Sequence, residues 1–68
     1  MKIKLLNPIL YLMGEYDGKT VYFECTMRDL RDLNKKVDVA WIVNSGEVKM
    51  DYVPIGLIKN IREEKLKD

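Results

Sequence analysis

The chain has 68 residues, 12 basic against 11 acidic side chains, no His and one Cys. That length makes one domain, residues 1–68, around a single small core. A formal charge of +1 gives no electrostatic case for nucleic acid, an anionic membrane or an acidic partner.

Hydrophobic residues make up 47% and charged residues 34%, a globular balance rather than a disordered one. Without His, the usual general base near neutral pH and the commonest neutral metal ligand are missing. One Cys forms neither an intrachain disulfide nor a Cys-cluster zinc site, which fits a reducing compartment. The longest unbroken apolar run, Ile9 to Met13, is far short of the roughly 20 residues of a membrane span. The opening Met1-Lys2-Ile3-Lys4-Leu5-Leu6 has the basic front of a signal peptide, but Asn7 and Pro8 interrupt it and no small-residue cleavage site follows. The expectation is a cytoplasmic protein, mature from residue 1, with no enzyme activity and no cofactor.

Taken in chain order, the first element is a hairpin tipped by Asp17-Gly18, a dipeptide suited to a type I′ turn. With that loop, Leu10 faces Cys25, Leu12 faces Phe23 and Gly14 faces Val21 on an apolar side. Tyr11 opposite Glu24, Met13 opposite Tyr22 and Glu15 opposite Thr20 form a mixed side. Gly14 is a candidate bulge position. A short strand, Lys2–Leu6, precedes this hairpin.

Thr26 then caps a short helix with Asp29 three residues on, and Met27, Leu30 and Leu33 make an apolar stripe of about two turns. Asn34 reads as the residue that ends it, with Lys35 and Lys36 complementing the negative helix end.

A second hairpin follows, in which Val37, Val39, Trp41 and Val43 alternate with polar or small residues, as do Val48, Met50 and Tyr52. An even-numbered loop at Ser45-Gly46 pairs Val43 with Val48, Trp41 with Met50 and Val39 with Tyr52. A three-residue loop would set Trp41 opposite Lys49 and is rejected. On this reading Trp41, Met50, Phe23 and Leu12 hold the core. After Pro54 two readings stay open: a 3₁₀ turn followed by a strand over 58–63, or a C-terminal helix with Ile55, Ile58 and Ile61 on one face. Residues 63–68 are expected to fray.

A long hairpin, an inserted helix, a tight hairpin, a 3₁₀-like turn and a closing strand together resemble an SH3-like small barrel. The expected fold is therefore mostly β (α+β), an antiparallel barrel of about five strands with one short helix between two hairpins. A helical tail would give instead an open ββαββα sandwich. The resemblance is one of pattern, no family motif accompanies it, and it implies no functional residue.

Cys25 is the only thiol, and its side chain points with Leu10 and Phe23 into the core, where it is inert. The glycines are isolated and form no phosphate-cradling loop. The carboxylates are scattered at spacings that suit solvated faces rather than a paired acid/base or metal site. The more suggestive feature is the outer side of the first hairpin, where Tyr11, Met13 and Tyr22 gather with Ile9 inside a polar rim. The expectation is a non-catalytic interaction module that takes a protein partner, or a second copy of itself, through Tyr11, Met13 and Tyr22. Covering of that face by the helix or by Lys2–Leu6 is the competing structural reading. The alternative is a nucleic-acid-binding barrel with Lys35, Lys36, Lys49, Lys59 and Arg62 on phosphates, Lys49 and Lys59 sharing the outer face of neighbouring strands, and the tyrosines stacking on bases. Against it, the sequence pI is about 7.8. Lys supplies nine of the twelve basic residues and Gln is absent, the signature of an AT-rich genome such as that of a low-GC bacterium, an archaeon or one of their viruses, where small accessory or regulatory proteins are common.

Overall fold

The computed structural model describes residues 8–64. In chain order the elements are β1 (Ile9–Tyr16), β2 (Lys19–Thr26), α1 (Met27–Leu30), β3 (Lys36–Ile42), β4 (Val48–Pro54), a 3₁₀ turn (Ile55–Leu57) and β5 (Lys59–Glu63). The five strands are antiparallel and lie in one sheet of order β4-β3-β2-β1-β5. Among the described residues β4 and β5 are its two edges, and the sheet is open between them. The expected strand Lys2–Leu6 lies outside the described residues. Of the end expected to fray, 63–68, Glu63 closes β5 and the Glu64 N–H donates to the Tyr11 carbonyl, so these two are held, and 65–68 lie outside the described residues.

The first hairpin has the expected register, from Leu10 opposite Cys25 to Tyr16 opposite Lys19. Asp17 (φ 52°) and Gly18 (φ 77°) both adopt the positive φ that a type I′ turn requires. The irregularity at Gly14 falls on its other side, in the pairing with β5, which shifts between Met13 and Glu15. Asn60 there has φ 54°, the mark of an extra residue accommodated in the strand. A Cβ on Gly14 would stand 2.6 Å from Ile58 Cγ2 and 2.9 Å from the Lys59 carbonyl oxygen, so only glycine lets β1 and β5 approach this closely.

Two local expectations are corrected. The helix is one turn, not two. Thr26 Oγ1 accepts the Asp29 N–H at 3.1 Å, as a cap should, but the helix ends after Leu30. Downstream, the Leu33 carbonyl accepts the Gly56 N–H at 3.0 Å and the Lys35 carbonyl accepts the Ile55 N–H at 2.8 Å. These bonds to the 3₁₀ turn draw the chain off the helical path. The stripe therefore does not form: Leu33 and Met27 are exposed, and only Leu30 packs against the core.

The second correction is the register of the β3–β4 hairpin. Its ladder pairs Ile42 with Val48, Ala40 with Met50 and Asp38 with Tyr52, so Trp41 faces Lys49. The rejected three-residue loop is the one that forms. The Gly46 N–H donates to the Val43 carbonyl at 2.8 Å, the Val43 N–H donates to the Glu47 carbonyl at 3.0 Å, and Gly46 has φ 88°. A turn closed by a left-handed residue that forms a bulge is the standard three-residue solution, and Gly46 provides that conformation without strain.

The tail follows the strand reading, with Ile55 buried in the 3₁₀ turn and β5 returning to pair with β1. The core consists of Leu12, Val21, Phe23, Cys25, Val37, Val39, Val53, Ile55 and Ile58. Leu12 and Phe23 are where they were expected. Met50 is not: the shifted register turns it outward, 65% exposed. Trp41 is half-buried at the core's edge, and the Lys19 ammonium lies 4.6 Å from its ring centroid.

Ile55→Ala is expected to cost about 2–5 kcal/mol, and Trp41→Ala less because the ring is only partly removed from water. Urea denaturation of the two variants side by side checks the order. Gly14→Ala should cost about 1–3 kcal/mol by forced displacement of β5, read as a lower urea midpoint at unchanged slope.

Candidate functional site

The cross-strand pairings bring the candidate residues onto one face. A row runs across the whole sheet from Arg62 of β5 through Met13, Tyr22 and Ala40 to Met50 of β4. Tyr11 and Glu24 of the first hairpin and Asp38 and Tyr52 of the second flank it on one side, and Ile42 with Val48 on the other. Because side chains alternate along a strand, all of these project away from the Leu12–Val39 core.

The face is not covered by α1: Tyr11 is 54% exposed, Tyr22 38% and Tyr52 60%. Tyr11, Met13 and Tyr22 are brought together as expected. Ile42, Val48, Met50 and Tyr52 were missed, because their placement depends on the hairpin register.

β2 and β3 lie side by side but share a single ladder pair, Tyr22 with Ala40, whereas β3 and β4 are paired along their length. Continuing the β2–β3 register would set Glu24 directly opposite Asp38, two like charges on one face. The ladder does not continue there, and a groove of about 580 Å³ lies over this part of the sheet. Tyr11 and Tyr22 line one wall, Met50 and Tyr52 the other, and Ala40 lies between. Glu24, Asp29, Asp38 and Glu64 line it together with Lys35 and Lys36, so carboxylates outnumber ammonium groups. Lys36 Nζ stands 5.9 Å from the Tyr52 ring centroid, and the Glu64 N–H donates to the Tyr11 carbonyl at 2.8 Å.

The basic candidates separate. Lys35 and Lys36 are at the groove, but Lys49 lies on β4 opposite Trp41, and Lys59 lies on β5 opposite Glu15. These two strands are opposite edges of the sheet, so the expected sharing of one face by neighbouring strands is corrected. Arg62 joins the row beside Met13, with its guanidinium donating to the Asn60 carbonyl at 2.8 Å.

Cys25 is buried, as expected, and unpaired. Desolvation raises its thiol pKa above the ordinary value, and the nearby Asp29 charge adds to the rise. A raised folded-state pKa means that the contribution of this group to stability is present at neutral pH and is lost as pH climbs through the thiol range and beyond. Among the described residues no group of three His, Cys, Asp or Glu is arranged to hold a metal ion, and no helix is long and apolar enough to cross a membrane.

No family model, curated protein or solved structure matches the chain.

Native protein should react with a disulfide reagent such as DTNB far more slowly than protein in denaturant, because thiolate formation and access both require opening of the core. Labelling at equal rates in the two states would contradict the burial of Cys25.

Proposed function

We propose that this protein is a small non-catalytic interaction module whose outer sheet face takes a protein segment in the groove between β2 and β3. One observation carries the reading: tyrosine and methionine side chains from three strands converge on a groove that the described residues leave uncovered, with a charged rim. Tyr and Met provide a large contact area at low conformational cost, and a polar rim around such a centre is how binding patches are built.

The chemistry of the occupant follows from the rim. With Glu24, Asp29, Asp38 and Glu64 set against Lys35 and Lys36, the complementary ligand is a peptide segment carrying apolar side chains between Lys or Arg residues. The same imbalance disfavours a phosphate backbone, which needs a surplus of cations along its track. The strand order, with a 3₁₀ turn leading into a strand that returns to β1, supports a partly open small barrel of SH3-like plan as the scaffold. Such scaffolds serve many ligands, so the site and not the scaffold bears the functional reading.

Selection from a displayed peptide library is expected to enrich sequences that mix aromatic or aliphatic residues with Lys or Arg. Titration calorimetry should show binding of a selected peptide weakened about tenfold or more by Tyr22→Ala and abolished when Tyr11→Ala is added, with both variants still folded. Peptides that bind the double variant as tightly as the parent defeat the reading. Retention on single-stranded DNA or RNA that falls steeply with salt would favour the phosphate-binding alternative through Lys35 and Lys36.

A further inference from the structure

The two edges of the sheet are built differently. β5 is short, carries Lys59, Arg62 and Glu63, and is distorted at Asn60, all devices that blunt an edge. β4 is a regular seven-residue strand with Val48, Met50 and Tyr52 exposed along it.

The direction of its backbone groups can be read from the hairpin. Val43 and Glu47 exchange a hydrogen bond at one end of the β3–β4 ladder, and Lys35 and Ile55 do so at the other. Hydrogen-bonded pairs recur at every second position. Lys49, Asp51 and Val53 therefore aim their N–H and C=O groups at β3, while Val48, Met50 and Tyr52 aim theirs outward. In agreement, the Tyr52 N–H is met by the adjacent Asp51 Oδ1 at 2.8 Å rather than by a strand. Pro54, which has no N–H, continues the outward series.

We infer that β4 pairs with β4 of a second copy of this chain, antiparallel and centred on Met50, joining the two five-stranded sheets across a two-fold axis. The sequence around that centre is self-complementary. Met50 meets Met50 of the second copy, Val48 meets its Tyr52, and Lys49 meets its Asp51, each relation occurring twice by symmetry. The outward N–H and C=O groups of Val48 and Tyr52 match one another in this register once the Asp51 carboxylate leaves the Tyr52 N–H for Lys49 of the second copy, and those of Met50 match their own copies. A shift by one residue would bring the outward groups of one strand against the inward-facing positions of the other. On the outer face, the Tyr22–Ala40–Met50 row would continue into the second sheet. On the inner face, the two Lys49–Asp51 pairs select the register and the partner, because cross-strand opposite charges attract and like charges repel. The occupant is thus a second copy, a conclusion independent of what fills the groove.

Sedimentation velocity of the full chain is expected to show a monomer–dimer equilibrium. Lys49→Asp alone and Asp51→Lys alone each set like charges opposite one another and should raise the dimer dissociation constant about tenfold. An equimolar mixture of these two variants should restore dimerisation, since each strand then supplies the charges the other lacks. That recovery separates lost pairing from lost folding. Met50→Pro removes an outward N–H that β3 does not use and should give a folded monomer by circular dichroism. Tyr11→Ala with Tyr22→Ala should leave the dimer unchanged. A chain that stays monomeric up to about 1 mM overturns the inference. So does a dimer indifferent to both charge reversals, or a mixture no more associated than either variant alone. A dimer lost only when residues 1–7 are removed also overturns it, by putting the contact elsewhere.

Discussion

The left-handed conformation of Gly46 sets which way every side chain of β4 points. A three-residue loop closed by a positive-φ glycine puts Ala40, and not Trp41, opposite Met50. Side chains alternate with a period of two, so this single-residue choice exchanges the two faces of the strand. Lys49 and Asp51 then lie on the core side of the sheet, at its edge, and Val48, Met50 and Tyr52 lie on the other side. With the opposite choice, the apolar row of β4 would be buried and the outer face would end at Tyr22 and Ala40.

The core that results draws little from β4, which contributes only Val53. The deficit is made up after Pro54, where Ile55 and Ile58 enter from the 3₁₀ turn and its exit. This explains why so short a turn holds one of the most buried side chains in the protein, and why β5 must come close enough to β1 to leave no room at Gly14 for a Cβ. The 3₁₀ turn and its exit close one side of the small core, and Ile61 of β5 packs against it. In a domain this size a few such residues decide whether the fold is stable at all.

The first hairpin was legible in the sequence because turn chemistry and face pattern agree: Asp17-Gly18 demands a two-residue loop, and that loop puts Leu10, Leu12, Phe23 and Cys25 on one side. In the second hairpin the two signals conflict. The apolar alternation of Val48, Met50 and Tyr52 looks like a buried face, which only an even-numbered loop at Ser45-Gly46 would turn inward. The turn chemistry of Asn44-Ser45-Gly46 prevails, and the apolar row goes to solvent. Helix capping by Thr26 was equally legible, but the helix length was not, because the bonds that end it come from Ile55 and Gly56, over twenty residues downstream. Of the candidate site, Tyr11, Met13 and Tyr22 were visible from local pairing alone. Tyr52 and Met50 were not, since their presence depends on the conflict just described.

Places where local rules fail to agree are where function tends to be written into a sequence. Among the described residues the apolar row of β4 does not fill the core, and it raises the hazard that an edge strand already carries. Pro54 and the Asp51 carboxylate on the Tyr52 N–H blunt that edge only in part, whereas β5 has charge and distortion along its whole length. An edge of this kind, next to an aromatic groove and with Lys49 and Asp51 spaced evenly about Met50, is what the proposed pairing of two copies would use. Groove and edge are both consequences of the one-residue register that Gly46 imposes.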